Sequence, residues 1–353
     1  MENNGSVADL VKNYDGRPLR IMEVCGTHTH EIFRLGIRDI LPESITLISG
    51  PGCPVCVTPN GFIDEALILA LEKHATICTF GDLVRVPGSE MSLAGARARG
   101  AKVEVVYTPL DAETYAEEHP EEETVFLSVG FETTTPSCCM AVRAAKRAGI
   151  GNFSLLTANK TMDNAYRLLK DSADAYLFPG HVCAITGYGL CEKLAREEGI
   201  SGAVAGFAAD EILLAIAAIM DRCREGKPFA VNCYPRVVTR EGNVRAQQIV
   251  KETMEPCDAF WRGIGNIPLS GNRLKEEYSS MDARKKFSLP EVKGRENPAC
   301  RCGDILRGNA KPYDCPLFGK VCTPEKPVGS CMVSGEGSCS AYYKYGGTLW
   351  KKK

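Results

Sequence analysis

The sequence predicts an α/β protein: two Rossmann-like parallel-sheet units followed by a Cys-rich segment. Three observations lead to this. Short β-branched runs alternate with stretches of helical spacing from Leu19 to about residue 225, as parallel strands joined by crossover helices do. The alternation restarts at Thr124, after the polar stretch 120–123. From Trp261 onward the periodicity gives way to Gly, Pro, Cys and charge, with six Cys between Cys300 and Cys339.

Taken in order, residues 1–18 read as a short helix or arm, and 19–24 as a first strand ending at Cys25. Residues 31–41 have helical spacing and stop at Pro42. Further strands are expected at 45–49, 75–80, 103–107, 124–129, 153–157, 175–178 and 203–207. Helices are expected at 61–73, 91–99, 111–118, 137–148, 161–170, 186–198 and 210–225, and 236–255 still looks helical. The domains implied are 19–120, 121–235 and 236–353, with 1–18 as a candidate part of the third. No sequence repeat is visible, so any likeness between the first two is architectural.

At 353 residues the chain is long enough for two or three domains. Its 44% hydrophobic and 24% charged residues are those of an ordinary globular protein. A net charge of -2 points to neither nucleic acid nor an acidic membrane as partner. Residues 1–6 lack the basic and apolar regions of a signal peptide, and the apolar run 212–220 is too short for a bilayer. A cytoplasmic protein is expected. Its 17 Cys are far too many for a typical cytosolic enzyme, and a disulfide framework does not suit that compartment. Metal or redox chemistry remains, with some thiols serving as small core residues.

Cys25-Gly26-Thr27-His28-Thr29-His30 puts one thiol and two imidazoles at a strand end, where α/β chains usually bind ligands. Such donors suit iron, zinc or copper; the plain alternative is a buried Cys beside two loop histidines. Cys53-Pro54-Val55-Cys56, preceded by Gly50-Pro51-Gly52, lets two sulfurs meet as a disulfide or as ligands of one metal. No second ligand pair follows within the next 20 residues, which favours a redox pair over a zinc knuckle.

The C-terminal thiols are Cys300, Cys302, Cys315, Cys322, Cys331 and Cys339, spaced 13, 7, 9 and 8 residues apart from Cys302 onward. Neither a compact ferredoxin run nor paired zinc knuckles has this spacing. The interleaved Pro and Gly let a loop wrap a compact object, so a [4Fe–4S] cluster is favoured over structural zinc. Three polar turns complete the set. Gly130-Phe131-Glu132-Thr133-Thr134-Thr135-Pro136 precedes a helix and could cap it or hold an anion. It has no P-loop lysine. Pro179-Gly180-His181-Val182 and Gly81-Asp82 offer an imidazole and a carboxylate at other strand ends. All would line one cleft if the two units face each other with their strand ends inward.

Together these strings, with 57–59 after the CxxC and the tail from Cys302 to Tyr345, resemble the HypD family of [NiFe]-hydrogenase maturation factors. The resemblance runs over essentially the whole chain, in order. It implies two similar α/β domains and a Cys-rich iron–sulfur domain. It also implies a scaffold on which Fe(II), carried as Fe(CN)2(CO), is assembled with a small partner, HypC. Cyanide would come from HypE with HypF, and the hydrogenase large subunit would be served indirectly. By carry-over, Cys25 would hold the iron together with a cysteine of HypC. Cys53 and Cys56 would form a redox pair, receiving electrons from the cluster. His28, His30 and His181, with the turn around Glu132, Thr133 and Thr134, would serve the cyanide nitrogens. The cluster ligands favoured are Cys315, Cys322, Cys331 and Cys339, with Cys302 as competitor. This describes a redox-active scaffold rather than a conventional turnover enzyme. The competing classes are a free-standing iron–sulfur thiol-disulfide oxidoreductase and a zinc-stabilised interaction protein.

Overall fold

The computed structural model describes residues 6–347; the ends of the expected first arm and last domain, 1–5 and 348–353, lie outside them. Among the described residues eleven strands occur in chain order: β1 (Leu19–Glu23), β2 (Ile45–Ser49), β3 (Thr76–Thr79), β4 (Val103–Val105), β5 (Thr124–Ser128), β6 (Phe153–Thr157), β7 (Ala175–Pro179), β8 (Gly202–Ala205), β9 (Ala230–Asn232), β10 (Met254–Trp261) and β11 (Gly265–Leu274). A first sheet has the order β2-β1-β7-β8-β9 and a second β4-β3-β5-β6. Every pairing in both is parallel. β10 and β11 form an antiparallel hairpin with an irregularity between Cys257 and Ala259.

The α/β expectation holds, with helices on both sheets. Strands buried on both faces read as continuous apolar runs, and β5, β6 and β7 are buried at every position. Successive β1 side chains serve opposite layers. Ile21 packs with Ile212, Ile216 and Ile219 of the helix Ala209–Cys223, while Met22 packs with Tyr176, Phe178 and the thiol-bearing segments.

The sheets do not divide where the sequence suggests a break. β5 pairs with β3, so residues 120–123 are a connection inside the second sheet. The first sheet is built from 19–49 and 175–232, and the second unit is inserted between β2 and β7. Within each sheet the strands, counted as they appear, run 2-1-3-4, extended to 5 in the first. That is the doubly wound order, with its ligand-binding switch point between strands 1 and 3. Periodicity shows that a segment is a strand but not which strand it pairs with, so an insertion of one unit into another leaves no local mark.

Three elements differ from expectation. The helix Gly26–Arg34 begins directly after Cys25, not at Glu31. Only Val244–Thr253 of the stretch 236–255 is helical, and the hairpin follows it at once. Among the described residues no helix is long and apolar enough to cross a membrane.

A buried ion pair fastens the first sheet. Glu23, with no exposed side chain, is paired with Arg38. Arg38 also donates to Leu47 O at 2.8 Å and lies over the Phe33 ring at 4.6 Å. Removing one partner strands a buried charge. Arg38→Met is therefore expected to cost about 3–5 kcal/mol, read as a lower urea midpoint at unchanged slope. Adding Glu23→Gln should recover part of the loss.

Candidate functional site

The first sheet's switch point lies between the ends of β1 and β7, and Cys25 and His181 follow those two strands. Cys25 is extended (φ -143°, ψ 127°) and immediately precedes the helix Gly26–Arg34, without a side-chain cap bond. Burial pushes its thiol up to about 11, against backbone hydrogen bonds from His28 and Thr27. The CxxC turn lies directly on it. Gly26 N–H donates to Gly52 O at 3.0 Å, and a Cβ on Gly52 would fall 2.2 Å from the Cys25 nitrogen. Only glycine fits at position 52.

His28 is fully buried. Its Nε2 meets Gly206 O at 2.8 Å; a carbonyl can only accept, so Nε2 carries the proton and Nδ1 the lone pair. Nδ1 is buried with no hydrogen-bond partner, and burial lowers the pKa to about 4. His28 and His181 both stack on Phe207, at 4.6 and 3.8 Å between centroids. Thr27 Oγ1 donates to Glu336 Oε1 at 2.6 Å, and the Glu336 charge reaches both Cys25 and His181. His30 faces the C-terminal segment instead, with Nδ1 3.2 Å from Gly335 O and Nε2 3.4 Å from the Tyr345 hydroxyl.

From the CxxC a row of sulfurs leads away. Cys53 caps the short helix Pro54–Val57, and Cys56 N–H donates to Cys53 Sγ at 3.3 Å. Cys56 reaches Cys331, and Cys331 Sγ lies 3.1 Å from Cys302 Sγ. Hydrogen bonds from Cys302 and Cys56, with Arg262 close by, hold the Cys331 pKa below the usual thiol range. Hydrogen bonding to Cys331 with burial raises Cys302, and burial foremost raises Cys56. The neighbouring thiols and Arg262 therefore favour the anion at Cys331 over that at Cys56 or Cys302. Ser330, fully buried, donates to Cys56 O at 3.1 Å and clamps this segment to the CxxC helix.

Beyond the row is a cavity lined by all six C-terminal cysteines, with Ile305, Leu317, Phe318 and Met332. Among the described residues no three His, Cys, Asp or Glu side chains converge as ligands of a single ion. The six thiols surround a space rather than a point.

A family model described as HypD, hydrogenase formation hypA family, matches residues 4–346. The chain belongs to the HypD family. It is 44% identical over 342 residues to hydrogenase maturation factor HypD2 of Bradyrhizobium diazoefficiens, covering 94% of this chain and 90% of that protein. Identity to the hydrogenase maturation factor HypD of Cupriavidus necator is 43%, with 94% and 90% covered. For that of Rhizobium leguminosarum it is 42%, with 97% and 90% covered. A HypD-family chain is a hydrogenase maturation factor, as the motifs suggested.

In this HypD-family chain the second sheet's switch point bears the Glu132 turn. Thr134 precedes the helix Thr135–Ala148 but makes no side-chain cap, contrary to the capping role considered for the turn. Thr133 is exposed. Glu132 Oε1 accepts from Met162 N–H at 2.8 Å, and Oε2 is buried with no partner. The two sets of strand ends do approach each other. The Cys183 thiol feels both Glu132 and Cys25, and Phe131 shares a core with Cys53, Cys56, Cys302 and Cys331. Sequence reasoning missed Glu336, Phe207, Ser330 and Arg262, which stand outside any recognisable string. Cys183 and Cys191, which belong to none of the motifs, face each other at 3.9 Å.

Burial lifts the Glu132 pKa to about 7. The folded state prefers the neutral acid, so stability present below pH 4.5 is lost as pH rises to about 7, by up to about 3 kcal/mol. His28 works the other way: its neutral form is preferred, and stability is lost as pH falls from 6.5 through about 4. Glu132→Gln should remove only the first effect. Its stability relative to the parent, from urea titrations, should rise by about 2–3 kcal/mol between pH 5 and pH 8. A pH-independent difference would refute this assignment.

Proposed function

We propose that this protein is a cytoplasmic scaffold on which the Fe(CN)2(CO) unit of [NiFe]-hydrogenase is built, with HypC as partner and cyanide arriving from HypE and HypF. The observation that carries this reading is the seating of the CxxC turn on Cys25 at the sheet's switch point, which puts the thiol we assign to the iron beside the pair we assign to redox chemistry. The Cys25 thiol is protonated at rest, because burial disfavours its anion. An incoming Fe(II) cargo competes for that sulfur and displaces the proton. Glu336, within electrostatic reach, is placed to accept it. A low-spin iron bearing cyanide and carbonyl favours soft thiolates, one from Cys25 and one from HypC. Its cyanide nitrogens need N–H and O–H donors, and His181 stands at the neighbouring strand end.

The C-terminal thiols divide by their contacts. Cys302 and Cys331 face each other, and we assign the other four lining thiols, Cys300, Cys315, Cys322 and Cys339, to the cluster. The donor set of four thiols in a mostly apolar shell fits a [4Fe–4S] cluster. Cys331, one of the four favoured from the sequence, borders the cavity but also lies against Cys56 and Cys302. When bound, the cluster supplies single electrons. The chain's own step is thiol–disulfide exchange. The Cys331 thiolate attacks Cys56 of a Cys53–Cys56 disulfide and expels Cys53. Cys302 then attacks Cys331, releases Cys56 and passes its proton to the liberated thiolates. One S–S bond breaks and one forms, so the first pair is reduced as the second is oxidised.

Single Cys→Ser changes separate these roles. At Cys300, Cys315, Cys322 or Cys339 they should abolish the broad visible absorption of anaerobically purified protein, and at Cys302 or Cys331 they should leave it. The complex with HypC should show infrared bands of metal-bound cyanide and carbonyl, and these should vanish in Cys25→Ala. Bands that survive in Cys25→Ala would sink the scaffold reading and leave the free-standing oxidoreductase.

A further inference from the structure

Arg262 follows the last residue of β10, and its N–H donates to Val57 O at 2.8 Å, next to the CxxC. Its side chain is fully buried. Nη1 donates to Ser330 Oγ at 2.9 Å. Nε is 3.4 Å from Glu296 Oε1, a carboxylate on a 40% exposed side chain, but it makes no proper hydrogen bond. Nε and Nη2 are both buried without a hydrogen-bond partner. A guanidinium held out of water with unmet donors is costly unless negative charge faces it. What faces it is sulfur. A Cβ on Gly329 would lie 3.2 Å from Cys300 Sγ and 3.8 Å from Arg262 Nη2, so the two border the same gap. The Arg262 charge is felt at Cys300, Cys302 and Cys331.

We propose that Arg262 is the counter-charge of the thiol centre, a positioning residue that raises the electron affinity of the Cys302–Cys331 pair and of the four-thiol pocket beside it. It rests on the redox reading above. Each added electron brings negative charge into a buried site, and a fixed cation stabilises the reduced form. A disulfide whose reduced form is stabilised is the stronger oxidant, and the potential of an iron–sulfur centre follows its local charge and hydrogen bonds. Glu296 partly cancels the cation and acts in the opposite sense.

The test uses the full chain, first without cluster, equilibrated with reduced and oxidised dithiothreitol. Two electrons and one proton pass from the reagent to the Cys302–Cys331 disulfide, giving a Cys302 thiol, a Cys331 thiolate and oxidised dithiothreitol, whose other proton goes to solvent. Alkylation with peptide mapping reads the disulfide fraction at that pair alone. Arg262→Gln should move the equilibrium about tenfold toward the disulfide, about 30 mV more reducing. Arg262→Lys should stay close to the parent, and Glu296→Gln, on the surface, should move the other way. Equal equilibria in all four proteins would overturn the proposal. If Arg262→Gln fails to fold, Glu296→Gln decides alone. If no Cys302–Cys331 disulfide forms even in the parent, the exchange reading fails. The midpoint potential of the reconstituted cluster then decides: a fall in Arg262→Gln supports the counter-charge, and no change refutes it.

Discussion

The Ser330 hydroxyl holds this structure's function together. It donates to Cys56 O and accepts from Arg262 Nη1. Three segments far apart in sequence meet there: the CxxC helix, the turn after β10 and the Cys-rich tail. All three are buried, so each group must find its partner inside the protein or lose the stabilisation water would have given it. With the joint made, Cys331 falls against Cys56, and the two thiol motifs become neighbours.

The insertion of one doubly wound unit into another serves the same end. Each sheet has its own switch point, and the connections that leave and re-enter the first sheet bring the two sets of strand ends together. The core between them contains Phe131, Val182, Trp261 and six of the thiols. Burial helps to raise the Cys56, Cys183 and Cys302 thiols, with one exception among the shifted groups. Cys331 is that exception, flanked by two S–H donors and a buried cation. Cys25 is not: burial raises its thiol to about 11, which makes it a poor free nucleophile.

The C-terminal segment does more than house cysteines. Gly335 and Tyr345 hold His30, and Glu336 leans on Gly26 and Thr27. Through these contacts the thiol cavity and the Cys25 helix form one packed body. A change at one can therefore reach the other through side chains already in contact.

Periodicity and local chemistry determined much by themselves. They marked all nine strands of the two sheets except the short β9, set Cys25 at a strand end, recognised Cys53 and Cys56 as a pair, and tied the motifs to one family. Such features depend only on residues near in sequence. Tertiary structure alone decided which strands share a sheet, that residues 120–123 are no boundary, and that β10 and β11 form a hairpin within a stretch expected to be helical and then irregular. It also gathered six similar thiols around one cavity and set two of them, Cys302 and Cys331, face to face. Spacing could not do this, because a thiol's neighbours are set by where the chain returns after hundreds of residues. The same holds for Arg262 and Glu336: a single charge in an ordinary string becomes informative only when burial and a distant partner are known.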